Sequence, residues 1–158
     1  MSKYFIYFIV LIISSCGYST HSILPSNLKT IAIPVVGNQT IKPGLGDMLT
    51  SQLIDDFTAD RNLKITPIDK ANIVLNCAIK NYERSPQSYT ADQTVIAYKI
   101  TLTAGIVATD NIKSASLWEG DISSWITYDA GTETEDIGID RAIKKLSQDI
   151  LRKTLTAW

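Results

Sequence analysis

The sequence predicts an α+β domain in which two helices pack on one face of a mixed, roughly four-stranded β-sheet. Three observations carry this expectation. Residues 44–60 and 133–155 repeat apolar side chains at intervals of three and four, the period of an amphipathic helix. Residues 73–79, 96–106 and 118–128 alternate apolar with polar side chains, the period of a strand with one buried face. The order is strand, helix, several strands, helix, and one sheet covered on a single side accommodates it.

The chain opens with a short segment bearing Lys3, an unbroken apolar run over residues 4–13, and the small residues Ser14 and Ser15 before Cys16. This is the layout of a secretory signal. Ten helical residues span only about 15 Å, half of a hydrocarbon core of ~30 Å. Ile13, Ser14, Ser15 and Cys16 match the bacterial lipobox. Cleavage is expected before Cys16, whose thiol takes the diacylglycerol. Two or more acyl chains give stable attachment where one is marginal. Gly17 follows the cysteine, where Asp would direct enteric-type retention at the inner membrane, so the outer membrane is expected. The expected division is residues 1–15 as signal peptide, 16–28 as lipid-anchored tether and 29–158 as one domain.

Within that domain, residues 29–36 are β-branched and apolar, a first strand whose Pro34 marks an edge or an end. Gly37 and Asn38 are expected to break it. Leu45, Met48, Leu49, Leu53 and Phe57 make the apolar face of the first helix, with Pro43 suited to its first turn. Residues 63–68 read as a short strand. Ile73, Leu75, Cys77 and Ile79 alternate against Asn72, Asn76 and Lys80, a half-buried strand leading into Tyr82. Residues 85–92, with Pro86 and polar neighbours, read as a loop. Ile96, Tyr98, Ile100, Leu102, Ala104 and Ile106 line one face of a long strand, and residues 109–116 turn the chain. Trp118, Ile122, Ile126 and Tyr128 share one face of the next strand; Asp121, Ser123, Trp125 and Thr127 share the other. The last helix buries Ile139, Ala142, Ile143, Leu146 and Ile150. Thr132 with Glu135 resembles a capping box, acidic residues begin the helix and basic ones end it, complementing its dipole, and Gly138 is a soft spot.

Cleavage before Cys16 removes 15 of 158 residues and leaves 143 with 14 basic and 16 acidic side chains, a net charge of −2. That length suits one domain with a proper core. Neither a basic excess for nucleic acid nor a Lys/Arg cluster for an anionic membrane is present. With Cys16 acylated, Cys77 is the remaining thiol, placed in an apolar alternation as a small buried hydrophobe.

Catalytic signals are absent. The one histidine, His21, lies in the tether, where a base cannot hold reaction geometry. There is no Cys/His metal spacing, and Gly44-Leu45-Gly46 lacks the lysine of a phosphate loop. No cofactor and no enzymatic activity are expected. Tyr82, Arg84 and Tyr89 gather aromatics and an Arg in one segment, and Trp125 sits on the more polar face of its strand. Exposed aromatics and Arg mark interfaces, so these four are candidate partner contacts.

Cys16-Gly17-Tyr18, Leu24-Pro25, residues 29–34, Asn38-Gln39-Thr40, Pro43-Gly44-Leu45 and Leu49-Thr50 are followed by residues 79–82, Pro86, Leu117-Trp118-Glu119, Tyr128 and a helix running towards Trp158. In this order they resemble the lipopolysaccharide-assembly lipoprotein family LptE across the whole mature chain. Gly46 stands where many relatives carry Glu, a departure expected to cost little. The resemblance implies two helices on a four-stranded mixed sheet. It implies a lipoprotein held at the outer membrane by lipid on Cys16, with its domain on the periplasmic side and inside a partner. That partner would be the large β-barrel of the lipopolysaccharide translocon, LptD-like, which the protein plugs and helps to assemble, binding lipopolysaccharide for insertion at the cell surface. No lipid-binding residue transfers; Lys80, Arg84 and Lys99 are candidates on charge alone.

A second reading is a periplasmic lipoprotein that regulates a peptidoglycan synthase. Such tethers must cross the peptidoglycan mesh. Here about a dozen residues separate Cys16 from the first strand, which reach about 40 Å at most. The short tether favours a partner in the same membrane.

Overall fold

The computed structural model describes residues 28–156, so the signal segment, Cys16, the tether with His21, and Trp158 lie outside the described residues. The elements are β1 (Thr30–Ala32), β2 (Gly37–Asn38), α1 (Leu45–Asp60), β3 (Lys64–Ile65), a 3-10 turn (Ile68–Lys70), β4 (Ile73–Tyr89), β5 (Val95–Asp110), β6 (Ala115–Asp129) and α2 (Glu135–Thr156). They form the expected α+β class, with six strands where about four were anticipated. The sheet order is β3-β1-β4-β5-β6, and β2 also pairs with β4. β1 runs parallel to β3 and β4, β2 runs parallel to β4, and β4, β5 and β6 are successive antiparallel neighbours.

The extra strand comes from Pro34. β1 pairs Ala32 with Val74, and β2 pairs Gly37 with Ala78. Five steps on one strand therefore match four on the other. Pro34 has no N–H to donate, so the chain detours by one residue and then rejoins β4. Gly37 and Asn38, expected to break the strand, resume it. Val36 donates its N–H to Thr50 Oγ1 at 2.9 Å, which fixes the detour to α1. Residues 63–68 shrink to the two-residue edge strand β3, a short edge of the kind that resists further pairing.

β4 does not end at Tyr82. It runs to Tyr89, and residues expected to form a loop pair with β5 as Arg84↔Ile100, Pro86↔Tyr98 and Tyr89↔Val95. Past Ile79 β4 has no described neighbour on its other side, so Pro86 breaks no second ladder. The turn is short, closed by Thr90 N–H to the Thr94 carbonyl at 2.8 Å.

A bulge interrupts β4 at Lys80: Ile79 pairs with Ala104, and Asn81 with Thr103. The extra residue inverts which side chains face the helices. Before it, odd-numbered Ile73, Leu75, Cys77 and Ile79 are buried. After it, even-numbered Tyr82 and Arg84 lie on the helix side, opposite Leu102 and Ile100.

Both helices cover one face. α1 buries Leu45, Leu49, Leu53 and Phe57; α2 buries Ile139, Ala142, Ile143, Leu146 and Ile150 against Ile100, Leu102, Ala104 and Ile106. Each such large side chain contributes about 1.5–3 kcal/mol by leaving water. α1 starts after Gly44, whose φ of 81° needs no Cβ, and ends at left-handed Arg61. Pro43 precedes that cap instead of entering the first turn. Gly46 is a close-approach point: a Cβ there would sit 2.5 Å from the Val36 carbonyl oxygen, so this backbone leaves no room for a side chain. α2 is capped by Thr134, whose Oγ1 accepts from Ile137 N–H at 3.4 Å; Thr132 instead bonds Asp129. Gly138 is a close-packing point and not a soft spot, with Tyr128 Cδ1 2.7 Å from where its Cβ would lie.

The opposite face of β4–β5–β6 is bare. Among the described residues no element covers Thr101, Thr103, Ser123 or Trp125.

Candidate functional site

The Lys80 bulge turns Arg84 into the corner where β4, β5, β6 and the start of α2 meet. Arg84 Nε donates to Tyr128 Oη at 2.6 Å and lies 3.4 Å from Glu135 Oε2. Its guanidinium stands 3.5 Å over the Tyr98 ring, which stacks on Tyr128 with 5.6 Å between centroids. Glu135 also accepts from Tyr82 Oη at 2.8 Å and from Lys42 Nζ at 2.7 Å. Two aromatic faces and a carboxylate thus hold one guanidinium, which suits its planar, weakly hydrated charge.

The Lys42 and Tyr82 hydrogen bonds, with the nearby charges of Lys42 and Arg84, hold the Glu135 carboxyl below its ordinary range. Burial, and then the bond to Glu135, push the Tyr82 hydroxyl well above its usual value. Cys77 is buried as expected, and burial pushes its thiol up to about 12, which keeps it inert. Because the Glu135 pKa is depressed by folding, its stabilisation is present above the ordinary carboxylate range and fades as pH falls through the depressed value. Glu135→Gln should cost about 1 kcal/mol at neutral pH. The gap from the parent should close on acidification; a gap that stays constant in urea melts across that range would refute an ionic role.

The four candidate contacts therefore separate. Tyr82 and Arg84 belong to this corner, with Tyr82 Oη and Arg84 Nε engaged. Tyr89 is 56% exposed at the far end of the β4–β5 hairpin. Trp125 is 55% exposed on the bare sheet face, with Lys99 Nζ 5.2 Å from its ring centroid. The other lysine singled out by charge, Lys80, lies across Gly105 and bonds Asp121 Oδ1 at 2.6 Å. A groove of about 450 Å³ follows this line, from Asn76 and Ala78 past Gly105 to Glu119 and Asp121. Sequence reasoning missed Lys42, Tyr98, Tyr128 and Glu135 as a set. No local spacing links them, since Lys42 and Glu135 are 93 residues apart.

Among the described residues no group of His, Cys, Asp and Glu could hold a metal, and no helix is long and apolar enough to cross a membrane. The corner's charges are mutually paired, and the bare face offers hydroxyls, one indole with Lys99 beside it, and the Lys80–Asp121 pair. The class this fold and these groups define is an α+β domain with an exposed sheet face and a paired polar corner.

The particular family follows from comparison. The family model of LptE, lipopolysaccharide-assembly, matches residues 28–154, and the chain belongs to that family. It is a family of lipopolysaccharide-assembly lipoproteins without enzymatic activity. Among solved structures, the fold is similar to a hypothetical protein of Chlamydia trachomatis, with a TM-score of 0.62, 8% identity, and 80% of this chain and 95% of that one covered. It is similar to a minor lipoprotein of Acinetobacter baumannii, with a TM-score of 0.55, 18% identity and coverages of 80% and 92%. It is also similar to the rare lipoprotein B of Shewanella oneidensis, with a TM-score of 0.52, 16% identity and coverages of 78% and 92%. At these identities the likeness concerns the fold. No curated protein matches by sequence.

Proposed function

We propose that this chain is a lipid-anchored outer-membrane component, attached through Cys16, that plugs a β-barrel lipopolysaccharide translocon from the periplasmic side, assists its assembly and binds lipopolysaccharide. The family match over residues 28–154 carries the reading, because it spans the whole folded domain from β1 to α2. Two further features support it. The tether is short, about 40 Å at full extension, which keeps the domain at its own membrane. The bare sheet face presents Thr101, Thr103, Ser123 and Trp125, and hydroxyls around one aromatic anchor suit the polar lumen of a large barrel. A plug buries much of its surface, so the interface should exceed the standard ~1,600 Å².

Purification of the intact lipoprotein from membranes in mild detergent tests this. A large outer-membrane barrel should co-purify in roughly equal amount, and Trp125→Ala should weaken its retention by about 2 kcal/mol or more. Recovery of a peptidoglycan synthase without a barrel would overturn the reading in favour of the regulator.

A further inference from the structure

β6 is an edge strand among the described residues, paired with β5 alone. Two hydrogen bonds reveal which of its backbone groups point outward. The Thr127 carbonyl accepts from Arg141 Nη2 at 3.0 Å, and Asp129 N–H donates to Glu133 Oε2 at 3.0 Å. Both partners come from the chain that forms and precedes α2, and neither is on β5. On the inner side, Ala130 N–H reaches the Ile96 carbonyl at 2.9 Å. The odd-numbered residues of β6 therefore direct their N–H and C=O groups away from the sheet.

The upper end of this edge is closed by Arg141 and Glu133. Further along, the outward N–H and C=O groups of Asp121, Ser123 and Trp125 have no hydrogen-bond partner among the described residues. A row of unpaired backbone groups is a template for another strand.

The edge is flanked on its helix side by a groove of about 590 Å³ between Ile122 and Ser123 on β6 and Lys145, Arg152 and Lys153 on α2. Asp149 also lines it, but that carboxylate is bound by Arg152 and by Ser124 Oγ at 2.5 Å. Asp121 turns to Lys80 on the bare face. Lys145 and Lys153 form no ion pair among the described residues. The groove is thus cationic and open beside unpaired backbone.

We propose that the β6 edge is a strand-addition site for an extended segment of a partner protein that carries acidic side chains at every second position. A strand added about 4.8 Å from β6 hydrogen-bonds Asp121, Ser123 and Trp125. One set of its side chains drops towards Lys145 and Lys153. The alternate set lies on the bare face beside the Trp125 indole and the Lys80–Asp121 pair, where apolar or hydroxyl side chains pack on the ring and Asp121 is already neutralised. A second copy of this chain fits poorly, because antiparallel pairing of two β6 edges brings Arg141 and Lys145 of one α2 towards Arg152 and Lys153 of the other. Main-chain bonds provide the affinity of such an addition, and the charge alternation provides its specificity.

The test uses the intact lipoprotein in detergent and labelled synthetic peptides alternating Glu with Val or Thr. Binding is read by fluorescence anisotropy and by hydrogen exchange at the β6 amides. The acidic peptide should bind about tenfold tighter than its lysine counterpart and protect the Ser123 and Trp125 amides. Methylation of alternate peptide nitrogens, which removes the N–H groups of one edge, should abolish binding. Lys145→Glu with Lys153→Glu should reverse the charge preference without lowering the melting temperature. Equal binding of methylated and unmethylated peptides would show a site for anions of any kind, lipid phosphates included, and would overturn strand addition. Self-association of the lipoprotein through β6 would overturn it as well. The readout needs no barrel, so its failure leaves the plug reading standing, and failure of the plug reading leaves it intact.

Discussion

Gly138→Val should be among the most damaging single substitutions in the domain. Residues 29–158 contain every strand and helix of the β1–α2 unit and all of its core except Leu28, and are expected to unfold cooperatively without the anchor. Gly138 is buried where α2 presses on β6, with positions for an added Cβ only 2.7 Å from Tyr128 Cδ1 and 2.9 Å from Ile100 Cδ1. Outside a protein, replacing a helical glycine with a residue bearing a Cβ would raise helix propensity by up to about 1 kcal/mol. Here the neighbours decide the sign. The Tyr128 ring is held by the Arg84 bond to its hydroxyl and by stacking on Tyr98, and Ile100 is fully buried. Neither can retreat without opening the corner. Overpacking of this kind costs about 1–3 kcal/mol or more, and a loss of ~3 kcal/mol lowers the melting temperature by about 10 °C. Thermal melts followed by circular dichroism check this. An unchanged melting temperature would mean that α2 is free to shift. A disordered spectrum for the parent domain would mean that folding requires the barrel.

Cys16→Ser should abolish lipid attachment. Lipid attachment needs the thiol, and a hydroxyl in its place is not acylated. Metabolic labelling with a tagged fatty acid should mark the parent and leave the serine variant unlabelled, as an uncleaved precursor or a soluble form. The expected change is nearly complete, because acyl chains contribute about 0.8 kcal/mol for each buried methylene and no helix among the described residues could replace them as an anchor. Label retained on the serine variant would place the lipid elsewhere and remove the basis for the short-tether argument.

Neither prediction could be framed from periodicity alone, although much of the fold was legible there. The buried stripes of both helices, Leu45 to Phe57 and Ile139 to Ile150, are local properties of period 3.6. So are the alternations of Ile73 to Ile79 and Ile100 to Ile106, at period two. These patterns act within a few residues of themselves. The strand content of Ser85 to Tyr89 does not, because its composition is that of a loop. It becomes strand by pairing with Val95 to Lys99 across a short turn. Likewise Trp125 is placed on the polar face by parity, while its exposure follows from the absence of a third layer among the described residues.

What the sequence by itself determined is the set of elements with one consistent period, the apolar residues they bury, the lack of catalytic groupings, and the features that led to the family. What only the tertiary structure decided is the register between distant segments. One extra residue at Lys80 reverses the facing of everything after it in β4 and delivers Arg84 to Tyr98, Tyr128 and Glu135. One missing N–H at Pro34 divides the first strand in two. The room denied to a side chain at Gly46 and Gly138 is set by backbone and rings brought in from elsewhere. The physical reason is common to all of these. Periodicity follows from local backbone geometry, whereas register, close approach and the outward aim of the β6 edge depend on which long-range pairs form, and such pairs leave no spacing in the chain to be read.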